Sequence, residues 1–140
     1  MTKQEIIEFI NANLTCNLAT IEGSQPRVRG MMAYKADEHG IIFHSGKSKD
    51  LYQQILKNPL VEICFFNPKT NMQIRVSGKA VVIDDMKLKK EIVEARPFMK
   101  PWIEQFGYEL LIVFQVVDCF AQIWTFETNL SPKEYIKISG

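Results

Sequence analysis

The sequence predicts an α+β fold that is mainly β, a small antiparallel barrel with helices at its connections. Three observations predict it. About seven short apolar runs show the period-two alternation of strands. Turn residues separate neighbouring runs, most clearly at Glu22-Gly23-Ser24-Gln25 and Asn67-Pro68-Lys69-Thr70-Asn71. Helical periodicity is confined to three or four excursions, which suits many short strands curling into a barrel. The chain has 140 residues, the size of one domain, and residues 1–140 are read as a single unit.

The elements follow in order. Thr2-x-x-Glu5 forms a capping box before Ile6, Ile7, Phe9 and Ile10, so a first helix ends near Asn13. Leu14 to Ile21 is a strand with Leu14, Cys16, Leu18 and Thr20 on one side. Pro26 to Tyr34 is a second strand, with Arg27, Arg29 and Met31 on one face and Val28, Gly30 and Met32 on the other. Lys35 to Gly40 reads as a hairpin connection and Ile41 to Ser45 as the third strand. A helix with Ser48 as N-cap carries Leu51, Tyr52, Ile55 and Leu56 and stops near Asn58-Pro59. Leu60 to Phe66 and Met72 to Ile83 are strands, and Gly78 in mid-strand predicts a bulge, a bend or close approach of another backbone. Asp84 or Asp85 caps a helix running to about Ala95. Pro97 and Pro101 bracket a break before a short piece with Trp102, Ile103 and Phe106, ended by Gly107. Glu109 to Val117 and Cys119 to Phe126 read as two further strands. Ser131 to Gly140 is a tail that Tyr135, Ile136 and Ile138 could anchor in part.

Composition narrows the function classes. The net charge is +1, but residues 25–49 hold five basic and two acidic side chains, so that segment is +3 and the rest of the chain is −2. A local basic cluster on a near-neutral chain suits a small anionic ligand better than nucleic acid, which calls for a broad basic face. No apolar run reaches the length of a membrane span, and no signal-peptide core follows Met1. The expectation is a cytoplasmic protein with no membrane partner. Cys16, Cys64 and Cys119 each sit in an apolar run, as buried free thiols do. No Cys or His pair stands at metal-ligand spacing.

The stretch Phe43-His44-Ser45-Gly46-Lys47-Ser48-Lys49-Asp50-Leu51 concentrates the chemistry. It reads as a strand end, a polar turn and a helix start flanked by two lysines. Cations at a helix N-terminus oppose the macrodipole. A bound anion resolves the conflict, because lysines and helix N–H groups then face one negative group. The stretch is therefore either a phosphate seat or two solvated lysines beside a cap. Arg27 and Arg29 on one strand face likewise mark an anion or a solvated sheet face.

With these residues in place, the sequence resembles the pyridoxamine 5′-phosphate oxidase-like family, the FMN-binding split barrels. The resemblance runs through Leu18-Ala19-Thr20-Ile21, Gln25-Pro26-Arg27-Val28-Arg29, Ile42 to Lys49, Lys57-Asn58-Pro59, Val61 to Phe65, Ile74 to Ala80 and Ala121-Gln122-Ile123-Trp124. It implies a six- to seven-stranded antiparallel split β-barrel with peripheral helices. It also implies FMN as cofactor and a homodimer with the flavin at the subunit interface. Arg29 would meet the flavin phosphate or the pyrimidine side of the ring, with Arg27 beside it. Met31 and Met32 would lie along the isoalloxazine. His44 and Ser45 would approach the ribityl phosphate, which Lys47 and Lys49 would hold. Trp124 would stand near the ring, commonly from the partner subunit.

The chain departs from the full-length oxidases in the spacing of its basic residues after Ser45. It also lacks their C-terminal pattern for pyridoxamine phosphate, which speaks against vitamin B6 oxidation. Shorter relatives include flavin reductases, nitro-group reductases, deazaflavin binders and haem-handling proteins, so fold alone does not set function. No serine-histidine-acid set or carboxylate pair is present, and the catalytic residues stay unassigned. His44 reads as a packing or phosphate-side residue or as a general acid, and Trp124 as an interface or flavin-contacting aromatic. The expectation is an FMN flavoprotein oxidoreductase acting on a small planar acceptor. The alternatives are a non-catalytic flavin- or haem-binding barrel and a nucleic-acid-binding barrel.

Overall fold

The computed structural model describes all residues from Met1 to Gly140. Eight antiparallel strands and four helices alternate along the chain. The first helix, α1 (Lys3–Ala12), starts at the expected capping box, with both reciprocal bonds present. Strands β1 (Thr15–Glu22) and β2 (Gln25–Met32) form a hairpin whose turn places Gly23 at a φ of 62°. Next come β3 (Lys35–Asp37), β4 (Gly40–Gly46), α2 (Asp50–Lys57), β5 (Leu60–Asn67) and β6 (Met72–Ile83). The chain closes with α3 (Met86–Ala95), α4 (Lys100–Phe106), β7 (Leu111–Trp124) and the two-residue β8 (Ile136–Lys137).

The sheet runs in the order β2-β1-β5-β6-β7-β4-β3, with β8 added to β7. Its path does not close by strand pairing. Yet β2 and β3, at opposite ends of that path, are joined by only Ala33 and Tyr34. Ala33 N–H still donates to Leu14 on the β1 side (2.9 Å), while Tyr34 N–H donates to Ile42 of β4 (2.7 Å). Two residues span only about 7 Å. The sheet must therefore curl until its ends meet, leaving a seam between β2 and β4. The main core lies inside this curl. It draws Leu18 from β1, Phe43 from β4, Phe65 from β5, Val76 from β6 and Phe114 from β7 into one cluster, capped by Ile6 and Ile10 of α1. Phe43 and Phe114 stack there at 5.2 Å.

Sheet curvature has a local source at Gly78. The β6–β7 register shifts between Ser77 and Lys79, and Asp118 and Cys119 of β7 stand opposite Gly78. Asp118 adopts a φ of 52°, a left-handed conformation that aspartate tolerates. This bulge also corrects the strand count. Glu109–Val117 and Cys119–Phe126 are not two strands, because Asp118 carries the bulge without breaking β7, which runs unbroken from Leu111 to Trp124. Lys35–Gly40 is likewise more than a connection, since Lys35–Asp37 pairs with β4. Asn11 of α1 bonds both the N–H and the carbonyl of Ala36 (2.9 Å each), covering that edge strand. The tail is anchored as expected, with Ile138 buried and Ile136–Lys137 paired to β7.

A second, smaller core joins α3 and the turn after it to the outer side of β4 and β7, through Ile42, Ile92, Val93, Met99, Leu111 and Val113. The excursion Met86–Leu110 is thereby fixed beside the seam.

Candidate functional site

Two adjoining cavities of about 590 and 480 Å³ lie along the seam. Both fall in the range of small-molecule clefts, roughly 300–1,000 Å³. They share Gly30, Met31, Ser45 and Lys49, so they form one groove with two ends. One end is polar and basic, lined by Arg27, Arg29, Lys49, Ser45 and Gln54, with Glu22 and Asp50 at its edge. The other is more apolar, lined by Met31, Met32, Phe98, Met99, Trp102 and Leu111, with His44 and Arg96.

At the basic end, strand alternation and helix spacing converge on Arg29. Its Nη1 donates to the Leu18 carbonyl (3.1 Å) and to Thr20 Oγ1 (2.8 Å). Its Nη2 donates to Gln54 Oε1 (2.5 Å), which also accepts from Thr20 Oγ1 (2.6 Å). Gln54 is the polar member of α2's buried face, beside Leu51 and Ile55, and so ties that helix to the β1–β2 hairpin. All of these acceptors on Arg29 are neutral. Burial holds its pKa below the usual arginine value. Arg27 is instead paired with Glu22 (2.9 Å), and both are half exposed.

The start of α2 corrects the expected cap. The helix begins at Asp50, Lys49 is the N-cap residue, and no side chain caps it. Ser48 lies one residue too early, because Lys49 N–H closes a turn onto the Gly46 carbonyl (3.1 Å) and delays the helix. The uncapped first turn, Asp50 and Leu51, lines the basic cavity with Lys49.

At the apolar end, Arg96 follows α3 and spans the seam. Its Nη1 donates to the Met32 carbonyl (3.2 Å) and to His44 Nε2 (2.7 Å), and its Nη2 donates to the Ala33 carbonyl (2.5 Å). Its guanidinium also lies 5.5 Å from the Tyr34 ring centroid. Arginine only donates, so His44 Nε2 accepts and the imidazole proton sits on Nδ1. Burial, then Arg96, then Lys49, pushes the His44 pKa down to about 4. His44 is therefore neutral at pH 7.

The structure thus gathers Arg27, Arg29, Met31, Met32, His44, Ser45 and Lys49 along one groove. Lys47 lines neither cavity. It is exposed, and its N–H donates to the Leu110 carbonyl (2.8 Å). Trp124 also stands apart, paired with Gln73 at one end of β7, whereas His44 pairs with Val113 near the other end. The separation is roughly 35 Å along the strand. Sequence reading missed Arg96, Trp102, Phe98 and Gln54 as groove residues, and Thr20 as the buried hydroxyl that bonds Arg29 and Gln54 behind the groove. Two signals were available, an arginine set between a helix end and Pro97 and a glutamine on an apolar helical stripe.

The fold and groove define a class, a coiled antiparallel α+β domain with a seam that is basic at one end and apolar at the other. The chain belongs to the pyridoxamine 5′-phosphate oxidase family, whose model matches residues 2–116. It is 32% identical over 82 residues to the pyridoxine/pyridoxamine 5′-phosphate oxidase of Haemophilus influenzae (strain 86-028NP), covering 58% of this chain and 39% of that protein. The chain thus spans about two fifths of the length of the curated relatives it matches. Among solved structures, a NimC/NimA family protein from Clostridium acetobutylicum is 27% identical, with a TM-score of 0.77, covering 96% of this chain and 90% of that one. A pyridoxamine 5′-phosphate oxidase-related, FMN-binding protein from Nostoc punctiforme shares the fold, with a TM-score of 0.58 at 17% identity and 96% coverage of each chain. No helix is long and apolar enough to cross a membrane.

Proposed function

We propose that the chain binds FMN in the seam and acts as an oxidoreductase on a small planar acceptor. The observation that carries this reading is the polarity of the groove, which matches a molecule with an anionic phosphate at one end and a flat ring at the other. Arg29 is a partly buried cation whose bonded acceptors are all neutral; Asp50 acts on it without a hydrogen bond, and a phosphate would supply a bonded counter-charge. Arg27, Lys49, Ser45 and the uncapped start of α2 would complete that seat. Met31, Met32 and Trp102 would flank the ring. Bound flavin would supply the electron-transfer chemistry, and the chain's residues would position it and exclude water. An FMN-binding relative of the same fold supports the cofactor.

A homodimer belongs to the same proposal. Val28 and Met32 are 69% and 50% exposed on the groove's β2 wall, and Trp124 can reach a flavin only from a second copy. Sedimentation at about twice the 16.2 kDa chain mass is expected; a monomer would remove the shared site.

One observation favours the non-catalytic alternative. The apolar end holds no acidic side chain, and its one histidine is held neutral. Haem is less well served than flavin, because His44 Nε2 is engaged by Arg96 and is not free for iron. The test is the visible spectrum of the protein before and after adding FMN and dialysing. Retained flavin bands support the cofactor, and a colourless protein overturns it. Reduction of the bound flavin by a nicotinamide nucleotide then separates an enzyme from a binding module.

A further inference from the structure

Arg96 lies outside the sheet, yet it bonds both walls of the seam. Its acceptors are two carbonyls at the end of β2 and one ring nitrogen on β4. Tyr34, over which the guanidinium lies, donates to Glu91 Oε2 (2.7 Å) one turn earlier on α3. The guanidinium is thus fixed by an aromatic face and three acceptors, and His44 meets it as the third.

We propose that Arg96 is a positioning residue that holds His44 as a neutral imidazole with its one proton on Nδ1, so that the groove is offered a hydrogen-bond donor at that atom. The proposal rests on the reading of the seam as the ligand site. A neutral ring nitrogen accepting from a guanidinium can hold only this tautomer. The charged groups facing His44 are both cations, Arg96 from the end of α3 and Lys49 from the turn before α2. Its strand partner on β7 is the apolar Val113. The one carboxylate in the cluster, Glu91, is engaged by Tyr34. Nothing in this environment favours the imidazolium, and Arg96 is the group that selects which nitrogen carries the proton.

The chain has two histidines, so His39→Gln, at an exposed turn position, leaves His44 as the single imidazole. Nitrogen-15 NMR of that ring, without flavin, reads both tautomer and titration. The parent should show the Nδ1–H form and titrate near 4. Arg96→Gln should raise the midpoint by at least about one pH unit and admit the Nε2–H form. Arg96→Lys keeps the charge but cannot reach three acceptors, so its midpoint should stay low while the tautomers mix. An Arg96→Gln protein with unchanged midpoint and tautomer overturns the proposal. So does a parent whose ring carries its proton on Nε2, a result that needs no Arg96 variant to fold. FMN titration of the same parent sample keeps the two ideas apart. Failure to bind FMN would remove the cofactor reading while leaving the imidazole signals to decide Arg96.

Discussion

Lys49 and Lys47 are two residues apart, and the groove treats them differently. Lys49 lines both cavities and Lys47 lines neither. If the basic end seats a phosphate, Lys49→Ala removes a charged donor from it. Hydrogen bonds involving a charged group contribute about 1.5–3 kcal/mol, and Lys49 is solvent-exposed, which places it at the lower end. The expected loss is about tenfold in FMN affinity, since 1.4 kcal/mol is a factor of ten. Lys47→Ala removes only a screened surface charge worth roughly 0–1 kcal/mol, so the loss should stay under about fivefold. Quenching of flavin fluorescence on titration measures both. The gap between parent and Lys49→Ala should narrow as ionic strength rises, because the contact is partly screened. Equal losses for the two variants, or an unchanged Lys49→Ala, would refute the placement of the phosphate beside α2.

Two further predictions concern the frame of the groove. Gly78→Ala would bring a Cβ within 2.6 Å of Val116 Cγ1 and 2.7 Å of the Val117 carbonyl; overpacking of this kind costs about 1–3 kcal/mol, so thermal unfolding should shift down by several degrees, and an unchanged midpoint would mean the bulge is free to move. The unfolded chain protonates His44 near 6.5 and the folded chain near 4, so the folded state should lose roughly 2–3 kcal/mol relative to the unfolded one as pH falls from 7 to about 4.5. Urea unfolding at the two pH values should show a smaller drop for His44→Gln, and an equal drop would dismiss the effect.

Much of the frame was legible because local signals agreed. Thr2 and Glu5 box the first helix, Asp85 caps α3, and alternation bounds Met72–Ile83 to the residue. Gly78 in mid-strand marked the bulge. What failed were places where neighbours decide. The sequence reads as two strands on either side of Asp118, but a bulge lets β7 continue through it. Ser48 resembled a cap, but the turn onto Gly46 delays the helix past it. At the site, the basic residues of 25–49 could be read together because they are close in sequence. Arg96 and Trp102 could not, because they reach the groove through the small core beside β4 and β7. Residues far apart in the chain leave no period or spacing that announces their meeting.

The two-residue step at Ala33 and Tyr34 has a consequence for folding order. The hairpins on either side of it, β1–β2 and β3–β4, are local and quick to form, but they belong to opposite margins of the sheet. Between those margins the sheet path runs through β5, β6 and β7, whose contacts are distant in sequence and of the kind that forms slowly. The groove draws its walls from β2, β4, α2 and the excursion around Arg96 and Trp102, so no single hairpin carries it. A ligand held there recognises only the finished molecule, so its binding free energy is added to the stability of the whole domain by mass action.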